Sequence, residues 1–506
     1  MNRALISAFL LLTFEGYTQK IVETYYNLGE KSVKEQYSVL DSDSKIFHGP
    51  YKLFDPDGYI KEEGNYIQGA KEGHWKFYHS NGVVSAEGNY HQGKMDSTWA
   101  YYSREGYLIH QGKFVNDLKD GEWRAYYPGG AIQGEGNFVA GNGTFTEFYP
   151  NGRKQRTTQY KNGLKEGPVL VYGEAGELMQ VSSFKNDVLS DSMLTYYPGG
   201  NIRQRSFFVD GNPEGIVIEY YENGIISKEI NYSKGEINGI SKSFYPDGVV
   251  KVEAEYTNGI LNGFYKTYYS NGQIETESQN VNGNKNGEFT TRNREGVLIN
   301  KGAYRNGKLH GINLGFYSNG KPRHTFVYED GFKEGENKSF HENGMIKQTG
   351  NYANEEKTKQ ITTYHSNGKK ESQMEERNGK PFGTWTTFYQ NEQLKSKDTY
   401  ENGLLNGVRI TYFENGRVQL EEPFNKGSKQ GIEKSFFDNG NLKSATTYKS
   451  GKLHGECREY YLDETLKEEG EYAGNRKVGK WKIYDETGNL SKLLIYENGK
   501  LVEEVK

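Results

Sequence analysis

The chain has 506 residues, 34% hydrophobic and 14% aromatic, with 63 Lys and Arg against 67 Asp and Glu and a formal net charge of -4. That balance gives no broad electrostatic reason to hold nucleic acid. Its single cysteine excludes an internal disulfide framework and a cysteine-based zinc site. With 63 Gly and only 11 Pro, the composition suits thin, turn-dense sheets held by Tyr and Phe.

The first segment, MNRALISAFLLLTFEGYTQK, differs from everything after it. Arg3 supplies a positive start and Ala4 to Phe14 an apolar core. This pattern predicts a secretory signal peptide over residues 1–19, too short for a permanent membrane helix. The expectation that follows is a protein that is secreted, periplasmic or held in the cell envelope.

From Tyr25 onward one unit recurs. A turn glycine stands at Gly58, Gly82, Gly106 and Gly130, then Gly152, then every 24 residues to Gly368, and again at Gly416, Gly440 and Gly488. The step is 24 except for 22 between Gly130 and Gly152, and Glu392 and Glu464 fill two vacant slots. Four residues earlier comes an aromatic (Tyr78, Tyr102, Tyr126, Tyr268), and eight residues later another (Tyr66, Tyr90, Phe114, Phe138). Trp75, Trp99, Trp123, Trp385 and Trp481 share a further column with Cys457, which reads as a packing residue. A fixed period of this kind marks a repeat array.

Each unit holds two runs of strand-forming residues. Asn81-Gly82, Asp247-Gly248 and Gly199-Gly200 are read as type I′ turns, which need two residues at positive φ. The second connection, such as Lys161-Asn162-Gly163 through Gly167, is read as longer. The predicted fold is all-β: an elongated single-array antiparallel β-meander or solenoid of about 20 hairpin repeats of 24 residues, continuous over residues 20–506. A two-residue shortening near Ala140 to Gly143 shortens one connection without ending the period, and irregular stretches at 280–293 and 353–377 mark bends or partner sites. Lys76, Arg124, Lys242, Lys266, Lys338 and Lys434 share a column, read as a solvated face of alternating charge, with a basic stripe as the alternative.

The unit G-x-W-x-x-Y-Y-x-N-G, carried by residues 73–97 (GHWKFYHSNGVVSAEGNYHQGKMDS) and by GKWKIY at Gly479 to Tyr484, resembles the MORN repeat. The variant it resembles occurs in bacterial proteins often labelled antitoxin components. The resemblance implies a scaffold or a partner- or lipid-binding surface.

No catalytic signature is present: no H-E-x-x-H, P-loop, G-x-S-x-G or dinucleotide-binding glycine motif. The ten histidines are scattered; His79, His341 and His365 replace Tyr in one column, and His310 and His454 sit in matching KLHG turns. No catalytic, cofactor-binding or metal-binding residue is assigned, no cofactor is expected, and an enzyme is not expected. The expected function is a non-enzymatic scaffold meeting a protein partner through an aromatic-rich β surface. A carbohydrate or cell-surface binding protein, and an antitoxin-like or lipid-binding one, are the alternatives.

Overall fold

The computed structural model describes residues 19–26, 32–40 and 42–505. The signal-peptide expectation, apart from Gln19, lies outside the described residues, as does most of the first copy at Tyr25 to Gly29. The described residues form 46 β-strands and no helix. Five of the strands are two-residue pieces, such as Asn212–Pro213, separated by a bulge from the strand they precede. Residues group into two compact units, one running to Val249 and taking in Tyr256–Gly259, the other comprising Val250–Glu255 and Ile260–Lys506. Within each unit, successive strands pair antiparallel with the strand before and the strand after, as the period predicts.

The two turn types are reversed with respect to the sequence reading. At Asn81-Gly82 only Gly82 is left-handed (φ 81°). Gly82 N–H donates to His79 O and His79 N–H to Val83 O, the bonding of a type I turn closed by a left-handed glycine in a three-residue loop. The type I′ pairs are at the other end: Gln92-Gly93 (φ 50° and 81°) and Asn162-Gly163 (φ 53° and 82°). His91 and Lys94, and Lys161 and Leu164, close them as directly paired residues. The second connection is therefore the shorter one. The extra residues that seemed to lengthen it form a bulge inside the following strand.

That bulge recurs. Glu63 faces Lys76 and Asn65 faces Glu72, so the second strand spends two more residues than the first between these pairs. Gly73, within it, takes φ 68°, and a Cβ there would meet nothing within 4 Å, so the requirement is angular. Ser97 (φ 58°) and Asp191 (φ 69°) hold the same position without being glycine. Two residues beyond the bulge stands the tryptophan column. Trp75, Trp99 and Trp481 are fully buried although the sheet is one layer thick. Each lies flat on the preceding strand where that strand has no side chain. A Cβ added at Gly64, Gly88 or Gly470 would come within 2.2 Å of the ring of Trp75, Trp99 or Trp481. The next strand also brings a glycine opposite Trp75 and Trp99, at Gly88 and Gly112. The edges are closed by Tyr66 (5.1 Å, 87° to Trp75) and Tyr90 (5.1 Å, 87° to Trp99). Burying one such ring contributes about 5 kcal/mol as an upper estimate.

The column side chain also reaches back to the facing backbone. Indole N–H groups of Trp75, Trp99 and Trp123 donate to Asn65 O (3.1 Å), Asn89 O (3.0 Å) and Lys113 O (2.8 Å). In one unit without tryptophan a small polar residue serves the same strand: Asn337 Oδ1 accepts from Val327 N–H at 2.9 Å.

Two irregular units follow from the same bulge. Around Val139 and Asn142 the pairing is regular with no bulge, so the two-residue deletion removed the bulge and left the Ala140-Gly141 turn intact. Around Ala353 and Thr358 the bulge is also absent, and a four-residue loop with Asn354, Glu355 and Glu356 left-handed takes up the two residues instead.

Gly88→Ala is expected to destabilise the fold by about 1–3 kcal/mol, the usual range for overpacking, with a change in tryptophan emission on denaturant titration. Ser97→Gly should act oppositely, gaining about 0.5–1 kcal/mol by relieving a left-handed non-glycine residue net of glycine's entropy. Unchanged midpoints for both would contradict the bulge-and-ring packing.

Candidate functional site

The alternation of each strand gives the repeats two chemically different faces. One carries the tryptophan column and Tyr66, Tyr90, Phe114 and Phe138. The other carries Lys, Glu and the second aromatic column, so the two aromatic columns found in the sequence lie on opposite sides. Tyr78 donates to Glu63 Oε1 at 2.5 Å, Tyr102 to Glu87 at 2.9 Å and Tyr268 to Glu253 at 3.2 Å. The basic column is matched by carboxylates: Lys76 to Glu87 (3.8 Å), Arg124 to Glu122 (3.2 Å), Lys266 to Glu277 (2.9 Å) and Lys338 to Glu336 (3.0 Å). For these four residues the alternating-charge reading holds over the basic stripe. Each exposed pair adds little stability, but the pairs fix which charge is presented where.

Titration follows this bonding. The Tyr78 hydroxyl first, then Lys52, holds the Glu63 carboxyl below its usual value against a burial penalty. Lys482 first, then Tyr484, does the same for Glu469. Burial, then the bond to Glu63, pushes Tyr78 up to about 12.

A third feature, missed in the sequence, runs along the turns. In several repeats a tyrosine directly after the second aromatic column bonds to the backbone of the next repeat: Tyr197 to Tyr220 O (2.7 Å), Tyr221 to Phe244 O (2.7 Å), Tyr317 to Phe340 O (2.6 Å). His79 and His341 do the same through Nε2, to Tyr102 O and Tyr364 O, both at 2.9 Å. This explains why histidine replaces tyrosine there. The Nε2 of His365 is buried without such a partner. Turn asparagines add a second link, as Asn81 Nδ2 to Arg104 O (2.8 Å) and Asn343 Nδ2 to Ser366 O (2.7 Å).

Cys457 occupies the tryptophan column as the sequence placed it, its Sγ 3.4 Å from Thr446 Oγ1, and burial raises its pKa. A thiol held protonated is a poor nucleophile. His310, Glu329 and Asp330 bring ligand atoms within 4.8 Å of one another. Arg305 bonds both carboxylates already, at 2.7 and 2.8 Å, so the group is an ion-paired surface cluster.

On the aromatic face, lysines cap the rings. Lys71 Nζ lies 3.8 Å from the Trp75 centroid and 2.9 Å from Glu62; Lys477 lies 3.7 Å from Trp481 and 2.8 Å from Glu468. The capped, buried tryptophans Trp75 and Trp481 are not open stacking platforms, which removes them from a carbohydrate-binding role. Lys119 caps Trp123 at 4.5 Å in a similar way. It lines a cavity of 350 Å³ with Tyr101, His110, Phe145, Arg156 and Tyr160.

Thirteen stretches of the chain match the model of the MORN repeat variant, from 47–68 and 71–92 through 213–234 and 333–354 to 477–498, and together they span more than half of its residues. The chain belongs to the MORN repeat variant family. As a MORN repeat protein it is a repeat scaffold. No curated protein matches it. Among solved structures it is similar to a TcdB2-TccC3-TEV crystal structure (11% identity, 95% of this chain, 33% of that one, TM-score 0.12). It is also similar to the Photorhabdus luminescens Tc holotoxin pore (11%, 96%, 33%, TM-score 0.13). The chain spans about a third of the length of those structures. TM-scores this low carry no argument about this protein.

The low carboxyl pKa values set a pH dependence. A carboxyl whose folded pKa lies below its unfolded value of about 4.3 adds stability that is complete above that value and lost as pH falls through the folded one. The thermal midpoint of the wild type should therefore drop between about pH 5 and 3. Glu63→Gln combined with Glu469→Gln should start lower and drop less steeply; identical slopes would contradict the bonding.

Proposed function

We propose that this MORN repeat protein is a non-enzymatic, exported scaffold that holds a protein partner on the charged face of its repeats. One observation carries the reading. The residue following the bulge glycine is a large aliphatic in several repeats and stands in water. In the first unit these are Ile216 and Ile240; in the second, Ile312, Val408 and Ile432; all are between 43% and 61% exposed. Elsewhere the same position holds Thr98, Glu122, Glu288 or Glu456, so the hairpin does not require an aliphatic there. Exposed apolar residues at a fixed spacing among paired charges have the composition of a protein-binding surface, with an apolar centre and a polar rim. Export rests on Arg3 and the apolar run Ala4 to Phe14. The non-enzymatic reading rests on the structural partners found for His79, His341 and Cys457 and on the ion-paired cluster around His310.

The test is capture from the native envelope and medium on the immobilised chain, read by cross-linking and mass spectrometry, beside a variant combining Ile312→Glu, Val408→Glu and Ile432→Glu. The expected result is one enriched protein whose recovery falls at least about tenfold in the variant, as loss of an apolar interface centre implies, with unchanged circular dichroism. Undiminished recovery, or recovery of polysaccharide alone, would overturn the reading.

A further inference from the structure

Lys119 differs from Lys71 and Lys477, the lysines at the equivalent position of two other repeats. Lys71 and Lys477 each meet a glutamate nine residues earlier, Glu62 and Glu468. At Lys119 that position is His110. Lys119 makes no ion pair among the described residues, and four rings surround its Nζ: Trp123 at 4.5 Å, Phe138 at 5.4 Å, Phe145 at 5.7 Å and Tyr160 at 5.9 Å. Burial lowers its pKa. Nearby charge does not replace the missing carboxylate. Glu147 is taken up by Arg156, whose Nη2 lies 2.7 Å from it and whose Nε bonds the other oxygen. His110, at the outer wall, is itself shifted down by burial and then by Lys119. The same lysine–histidine exchange occurs at Lys333 and His324, where His324 is stacked on Phe326 (4.3 Å, 14°). At Lys119 the lysine and histidine both line the 350 Å³ cavity, with Tyr101, Phe114, Trp123, Phe145 and Tyr160 as its rings.

This is also where the bulge is missing. Phe145 stands in the column of the tryptophans, on the strand whose pairing with the residues around Gly136 is regular. The shortened repeat thus supplies one wall of the cavity.

We infer that the cleft around Lys119 is a binding site for a small carboxylate carried on a flat, apolar body, the carboxylate taking the place that Glu62 and Glu468 fill beside Lys71 and Lys477. The cavity lies at the small end of the range for ligand pockets. Its rings suit a planar body, and a half-buried ammonium without a counter-ion gains from a charge-assisted bond. The site is on the aromatic face and is independent of the aliphatic positions of the other face.

Phenylacetate serves as the probe, phenylacetamide as its uncharged match and inorganic phosphate as a compact anion, titrated into the full chain by calorimetry and tryptophan fluorescence. The expected result is saturable binding of phenylacetate, at least about tenfold weaker for phenylacetamide, as loss of a charge-assisted bond implies. Lys119→Gln should weaken phenylacetate to the same degree, whereas Lys71→Gln should leave it unchanged. In the unmutated protein, phenylacetate should protect Lys119 from acetic anhydride, measured by peptide mass spectrometry, so the inference does not hang on a variant that fails to fold. Equal affinity for acid and amide, equal affinity for phosphate, unchanged binding in Lys119→Gln, or no protection of Lys119 at millimolar phenylacetate would each overturn it.

Discussion

A sheet one layer thick has no second layer to bury its apolar side chains, and this protein solves that with an aromatic ring laid on bare backbone. The rings of Trp75, Trp99 and Trp481 each have a glycine on the strand beside them, a left-handed residue two positions before to set the strand's path, and an aromatic edge from the next column. A lysine then caps several of the rings from above. Remove the glycine and the ring cannot lie down; remove the bulge and the residues around it change register. Where tryptophan is absent the demand on its neighbour relaxes, and Ser182, Ser206, Ala254 and Ser278 are buried in the column that holds glycine elsewhere. Ser241 and Asn337 stand in the tryptophan column with the facing backbone still bonded to them, Asn231 N–H donating to Ser241 Oγ and Val327 N–H to Asn337 Oδ1.

The rings are one of three sets of inter-repeat bonds. At one rim, tyrosine or histidine and turn asparagine reach the next repeat's carbonyls. At the other, the type I′ glycine N–H donates to the preceding repeat, as Gly93 to Lys71 O (2.9 Å) and Gly163 to Gly141 O (2.9 Å). A side chain before the bulge glycine adds to this, as Glu72 accepting from Gln92 N–H at 2.8 Å. Each repeat is thus tied to its neighbours at both ends and through its middle, which is the energetic pattern of a one-dimensional array. The two units can each be understood through this local rule without any longer-range contact.

Much of this was legible in the sequence. The period, the all-β class, the placement of Cys457 in the tryptophan column and the matched charges beside Lys76 and Lys266 needed only residue spacing. The turn types were not, because Asn-Gly fits both a type I′ centre and the last two residues of a three-residue loop. Only the pairing on either side tells Asn81-Gly82 from Asn162-Gly163. Nor was the bulge, since Gly73 and Gly167 look like ordinary turn glycines until the strand is seen to continue past them. Nor were the faces of the two aromatic columns, as the bulge sets which side chains meet. The cleft at Lys119 had a signal in the sequence after all: a histidine, nine residues before the lysine, where the repeats of Lys71 and Lys477 carry glutamate. Reading it required knowing that the two positions touch.

The bulge has a consequence for how such a chain changes over time. Because it consists of two residues, excising it, as between Val139 and Asn142, or moving it into the loop, as between Ala353 and Thr358, leaves inward-facing positions inward. A single-residue insertion or deletion in a strand would exchange core for solvent along the rest of that strand. Length variation at these two repeats therefore comes in an even step. Each such step is a place where one repeat departs from its siblings without disturbing them, and the shortened repeat beside Lys119 is one of them.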